Sequence, residues 1–113
     1  MAEGDRDFRG LLENVTRLVE ESPVPVIVKE VGFGIAREEV SRLVEAGVKA
    51  IDVGGRGGTN FAGIEFGRKD QAGDPGLLGW GLTTAVSLVE AVSVAPGSVQ
   101  VVATGGITRG SEA

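Results

Sequence analysis

The architecture of this chain is set by one stretch, Val26-Ile27-Val28-Lys29-Glu30-Val31-Gly32-Phe33-Gly34. Three β-branched apolar residues lead into a lysine and then into a turn flanked by glycines. This pattern predicts a fully buried strand with a cation at its carboxyl end, where parallel α/β sheets keep their chemistry. Because lysine is rarely buried without a partner, we expect Lys29 to face an anion or a ligand. The alternative is a structural ion pair, for example with Asp52.

Helices and strands alternate around this strand. Apolar residues at helical spacing predict one helix over residues 7–20 and a second over residues 37–46, with Gly47 as the cap of the second. A second apolar strand is predicted over residues 48–53. Because the strand–helix–strand spacing is short, we expect the two strands to be parallel neighbours.

The second half of the chain continues this alternation after a long interruption. Residues 54–79 are rich in glycine and show little periodicity, which predicts a structureless connection that is either a functional loop or disordered. A third helix is predicted from about residue 85, with Thr83 or Thr84 as its N-cap, and a third strand over residues 99–103. The sequence therefore predicts an α/β fold of three parallel strands and three helices.

Composition narrows the classes of function. The 113 residues carry a net charge of −5 with no basic cluster, which argues against a nucleic-acid partner. Cysteine and histidine are both absent, so disulfides, thiolate metal sites and histidine bases are excluded from this stretch. No apolar run is long enough to span a membrane, and the acidic N-terminus does not resemble a signal peptide. We therefore expect a single cytoplasmic domain over residues 1–113.

Glycine-rich segments follow the strands and carry the candidate binding residues. Thr104-Gly105-Gly106-Ile107 lies between a strand and a predicted helix, where backbone N–H groups bind phosphate well; the alternative is a tight turn that binds nothing. Thr59 and Asn60 either donate hydrogen bonds to a ligand or only cap their loop. Because these segments and Lys29 all belong to strand ends, we expect them to converge at one edge of the sheet.

Three other positions have two interpretations each. Glu30 and Asp52 are either an acid–base pair or structural carboxylates that hold Lys29 or water. Trp80 either stacks on a ligand or packs on the sheet. Arg37 begins the second predicted helix and is expected to be solvated.

Four motifs together strongly resemble type 2 isopentenyl-diphosphate isomerase. They are Val-Lys-Glu-Val-Gly-Phe-Gly at residues 28–34, Asp-Val-Gly-Gly-Arg-Gly-Gly-Thr-Asn-Phe at 52–61, Trp-Gly-Leu-Thr-Thr at 80–84 and Ala-Thr-Gly-Gly-Ile at 103–107. Residues 3–8 are also similar to that family. The resemblance implies an FMN-dependent (β/α)8 barrel that interconverts isopentenyl and dimethylallyl diphosphate, with NADPH reducing the flavin and Mg²⁺ on the diphosphate.

The resemblance also implies roles for individual residues. Lys29 matches the lysine that contacts the flavin ring near N1 and O2, and Thr59 matches a threonine that binds FMN. Gly105, Gly106 and Ile107 match the start of the loop that binds the FMN phosphate. Gly54 departs from the pattern, since many relatives have serine there. The resemblance places no catalytic residue and no metal ligand within this chain.

The chain is much shorter than a complete barrel of about 250 residues. We therefore expect a partial TIM (β/α)8 barrel, a fragment that is catalytically inactive alone and has uncovered sheet edges; the resemblance implies a homo-oligomer for the full-length parent. Two alternatives remain. The first is that the parent is another FMN barrel, although α-hydroxy-acid oxidases need a histidine and inosine-monophosphate-dehydrogenase relatives need a cysteine, and this chain has neither. The second is that the chain is a non-catalytic module.

Overall fold

A computed structural model describes residues 7–68 and 74–113 of the chain. Helices and short strands alternate, as the sequence predicts. The elements in chain order are helix α1 (Leu11–Glu21), strand β1 (Ile27–Lys29), helix α2 (Arg37–Glu45), strand β2 (Ala50–Asp52), helices α3 (Phe61–Arg68), α4 (Pro75–Leu78) and α5 (Thr84–Val94), strand β3 (Gln100–Val102) and a 3₁₀ turn (Gly110–Glu112). No helix within the described ranges is long and apolar enough to cross a membrane.

The three strands form one parallel sheet in the order β1-β2-β3. Lys29 is the register partner of Asp52 on the central strand, and Asp52 is in turn the partner of Val102 on β3. The predicted α/β class and the parallel pairing are therefore confirmed. Because all three strands run the same way, their carboxyl ends lie along one edge of the sheet.

The core lies around the central strand β2. Ile51, Val48 and Val53 are buried here, and Val40 of α2 and Ala91 of α5 pack with them. Parallel strands that are covered on both faces are rich in β-branched apolar residues. The buried Val48, Ile51 and Val53 agree with this, whereas Lys49 in the same segment is exposed.

Strand β1 does not fit the prediction of a fully buried strand. Ile27 is 64% exposed, and only Val28 of the three strand residues is partly buried. The physical reason is position, since β1 lies at the edge of the sheet and no strand within the described residues pairs with its outer side.

The predicted structureless connection over residues 54–79 is wrong in part, because helices α3 and α4 lie within it; residues 69–73 are outside the described ranges. The Asn60 carboxamide starts α3 by accepting the Gly63 N–H at 3.0 Å, and it donates to the Leu78 carbonyl at 2.8 Å. The Asp74 carboxylate caps α4 by accepting the Gly76 N–H at 2.8 Å. Glycines inside these two helices interrupt the apolar periodicity, so the sequence did not predict them. The described residues form five α-helices rather than the predicted three.

Helix α1 begins at Leu11, later than the predicted residue 7, because Gly10 adopts the left-handed conformation with φ of 72°. The predicted cap Gly47 follows α2 with φ of 87°, and Thr83 is the N-cap of α5, as expected.

Arg37 is not merely solvated, because its guanidinium forms two hydrogen bonds to the Glu90 carboxylate, at 2.8 Å and 2.5 Å. This ion pair joins α2 to α5.

Ser87 is a fully buried polar residue that fixes α5 against the turn after β1. Its hydroxyl donates to the Ile35 carbonyl at 2.7 Å and accepts the Ile35 N–H at 2.7 Å. Both backbone groups of Ile35 are thereby satisfied in the interior, where an unpaired polar group is costly. The contact sets the position of the β1–α2 turn relative to α5.

Candidate functional site

A cleft of about 600 Å³ lies at the carboxyl edge of the sheet, a size suited to a small ligand. All five residues that the sequence singled out for cofactor binding line it: Lys29, Thr59, Gly105, Gly106 and Ile107. They come from the end of β1 and from the segments that follow β2 and β3. The predicted convergence of these segments is confirmed.

Lys29 both faces the cleft and forms the ion pair that was its alternative interpretation. Its ammonium lies 3.2 Å from the Asp52 Oδ2 and 3.3 Å from the Glu30 carbonyl oxygen. The side chain is still 59% exposed. An ammonium has three N–H donors, so two acceptors of the protein leave one donor for a ligand.

Asp52 joins the ends of all three strands through its carboxylate. Oδ1 accepts the Thr104 hydroxyl at 2.5 Å and the Gly54 N–H at 3.1 Å, and Oδ2 accepts from Lys29. Burial favours the neutral acid, but the hydrogen bonds from Thr104, Gly54 and Lys29 and the charge of Lys29 outweigh it, so the pKa of Asp52 lies below its usual value. The carboxylate is therefore a structural anion.

The depressed pKa of Asp52 predicts an acid-sensitive contribution to stability. A carboxyl group whose pKa is lower in the folded chain stabilises the fold above its unfolded pKa of about 3.9, and this stabilisation is lost as the pH falls further through the folded pKa. Wild type should therefore exceed Asp52→Asn in free energy of unfolding most clearly at neutral pH, with the gap shrinking below about pH 4. Urea unfolding monitored by circular dichroism between pH 7 and pH 2.5 measures this gap, and a gap that stays constant contradicts the prediction.

Glu30 also has a structural role. Its Oε2 accepts three successive backbone N–H groups, those of Gly32, Phe33 and Gly34, at 2.7, 2.6 and 3.0 Å. These bonds fold the β1–α2 turn into one rim of the cleft. Of the two interpretations of Glu30 and Asp52, the geometry favours structural carboxylates over an acid–base pair.

The two glycine-rich loops pack backbone to backbone. Gly105 has a φ of 110°, and a Cβ at this position would overlap the carbonyl oxygen of Gly55. A Cβ at Gly57 would in the same way overlap the backbone of Gly106. Thr84 fastens this contact, because its hydroxyl lies 2.5 Å from the Gly105 carbonyl oxygen and 3.2 Å from that of Thr104. Only glycine permits so close an approach.

Residues 104–108, in the loop after β3, line the cleft. Within the described ranges, no acceptor pairs with the N–H groups of Gly106 or Ile107. The next two N–H groups, those of Thr108 and Arg109, are occupied by the Glu112 carboxylate at 2.7 Å and 3.0 Å. Free N–H groups on a glycine turn suit an anionic group such as a phosphate.

Other residues differ from the expectations. Trp80 is 66% exposed and does not line the cleft, so neither stacking on a ligand there nor packing on the sheet is observed. Phe61 does line the cleft, and its ring lies close to Gly32 on the opposite rim. Sequence reasoning did not single out Phe61, and it considered Thr84 only as a helix cap. Gly54 lines the cleft with a φ of 46°.

Fold and site together define an α/β protein with a ligand cleft at the carboxyl ends of parallel strands. No family model matches the chain. Curated proteins named isopentenyl-diphosphate delta-isomerase align with all of it: 54% identity with the protein of Symbiobacterium thermophilum, 54% with that of Moorella thermoacetica and 50% with that of a Geobacillus species. The chain spans 31–32% of the length of these relatives.

The resemblance to isopentenyl-diphosphate isomerase that is seen in the sequence is thereby confirmed. The chain is homologous, over its whole length, to a part of isopentenyl-diphosphate delta-isomerase.

Proposed function

We propose that this chain forms part of the FMN site of a type 2 isopentenyl-diphosphate isomerase. The observation that supports the proposal is the cleft itself, since Lys29, Thr59 and the Gly105–Gly106 turn line one cavity. The reaction proposed for the whole enzyme is the interconversion of isopentenyl and dimethylallyl diphosphate. Isopentenyl diphosphate is part of the name of the relatives.

The residues of the cleft fit a flavin nucleotide. The free N–H groups of Gly106 and Ile107 would hold its phosphate, and the Thr59 side chain, which is exposed in the cleft, would donate a hydrogen bond. The remaining donor of Lys29 would bind the edge of the ring, where a cation stabilises negative charge on the reduced form. When bound, the flavin would supply proton transfer at its N5 atom, and the substrate would undergo no net oxidation.

We assign the further requirements of the proposed reaction to the rest of the enzyme. NADPH is proposed to reduce the flavin and Mg²⁺ to bind the substrate diphosphate. Among residues 7–68 and 74–113, no group of three or more acidic side chains could hold a metal ion. We assign the 113 residues to cofactor binding, and we expect them to show no isomerase activity without the rest of the enzyme.

FMN titration of the purified chain, followed by flavin fluorescence, tests the proposal. Wild type should bind FMN, and Lys29→Met should bind about tenfold or more weakly, because a charge-assisted hydrogen bond to the ring is lost. Lys49→Met is the matched control, since Lys49 is exposed and lies outside the cleft; its affinity should equal that of wild type. If a chain that is folded by circular dichroism binds no FMN, or if both variants bind as wild type does, the proposal is wrong.

A further inference from the structure

We propose that Asp52 is a positioning residue that holds the Lys29 ammonium over the cleft for its anionic ligand. This role deepens the proposed function and rests on it for the identity of the ligand. The contact itself does not depend on the ligand, because it joins only the side chains of Lys29 and Asp52.

The register of the sheet explains the contact. Lys29 and Asp52 are partners on neighbouring parallel strands, so their side chains leave the sheet on the same face. The Asp52 side chain is 14% exposed whereas that of Lys29 is 59% exposed. The carboxylate is therefore the fixed member of the pair, and the ammonium is the member that reaches the cleft.

The carboxylate is itself held in place by the segments that follow β2 and β3. The Thr104 hydroxyl and the Gly54 N–H both bind Oδ1, which leaves Oδ2 directed to Lys29. A lysine side chain has four rotatable bonds and loses considerable rotamer freedom when it is held. An ammonium already held by Asp52 and by the Glu30 carbonyl binds a ligand with a smaller loss of that freedom.

Asp52→Asn separates this role from a general contribution to the fold. The carboxamide oxygen still accepts from Thr104 and Gly54, whereas the charge that holds Lys29 is removed. We expect Asp52→Asn to weaken FMN binding about fivefold. In a Lys29→Met background the same change should have no further effect, because Asp52 acts through Lys29. If Asp52→Asn weakens FMN binding equally in both backgrounds, the positioning role is overturned.

A second readout needs no flavin. Limited acylation with an N-hydroxysuccinimide ester, followed by peptide mass spectrometry, gives the ratio of labelling at Lys29 to labelling at exposed Lys49. Asp52→Asn should raise this ratio about threefold, since the ammonium is released. Glu90→Gln breaks the separate Arg37–Glu90 ion pair and should leave the ratio unchanged.

The two readouts distinguish failure of the proposed function from failure of this role. If wild type binds no FMN but Asp52→Asn raises Lys29 labelling, the FMN proposal fails and the positioning role stands. If labelling does not change in folded Asp52→Asn, the role is overturned even when FMN binds. Should Asp52→Asn not fold, Thr104→Val loosens the carboxylate instead; a raised labelling ratio supports the role, and an unchanged ratio overturns it.

Discussion

Replacing Gly105 with alanine should abolish detectable FMN binding and lower the free energy of unfolding by about 2 kcal/mol or more. Two costs combine at this position. The φ of 110° is unfavourable for any residue with a Cβ, and that Cβ would overlap the Gly55 carbonyl oxygen. The overlap is with backbone rather than with a flexible side chain, so the loops after β2 and β3 must separate to relieve it.

Gly110→Ala is the matched control for Gly105→Ala. A Cβ at Gly110 has open space around it, and its φ is not in the left-handed region. We expect its thermal midpoint and its FMN affinity to match those of wild type, whereas Gly105→Ala should lose about 10 °C in midpoint. Equal midpoints for the two variants would contradict the backbone contact between the glycine-rich loops.

Replacing Ile51 with alanine should destabilise the chain by about 2–5 kcal/mol. Ile51 is completely buried at the centre of the middle strand, and Val40 and Ala91 belong to the same core cluster. Alanine would leave a cavity that the close-packed neighbours cannot fill without strain. Because a small domain has little stability to lose, much of the Ile51→Ala population should be unfolded at 37 °C.

The control for this change is Ile27→Ala on the adjacent strand. The substitution removes the same atoms, but Ile27 is 64% exposed at the edge of the sheet. We expect it to cost less than about 1 kcal/mol. Urea unfolding of both variants measures the difference, and equal losses would mean that β2 is not the centre of the core.

How far the sequence predicted the fold depends on the range over which each signal acts. Helix α2 and the caps Gly47 and Thr83 have local causes, namely periodicity and capping chemistry, and they are where the sequence placed them. The exposure of β1 has no local cause. It depends on which strand occupies the edge of the sheet, and three consecutive apolar residues do not carry that information.

The candidate site was predictable in outline for a related reason. Parallel strands bring their carboxyl ends to one edge, so the convergence of Lys29, Thr59 and Gly105 follows from topology alone. The contact of Thr84 with the Gly105 carbonyl depends on how α5 meets the loop after β3, and no spacing in the sequence encodes it. The flavin roles of these residues rest on the resemblance and remain predictions.

The two bonds between Ser87 and Ile35 have a consequence for local opening motions. Helix α5 cannot separate from the β1–α2 turn without leaving both backbone groups of Ile35 unpaired in the interior. Fluctuations of the Glu30 rim are thereby tied to fluctuations of α5, whose first residue, Thr84, fastens the opposite rim. Amide hydrogen exchange should therefore detect the two rims of the cleft as one cooperative unit rather than as two independent loops.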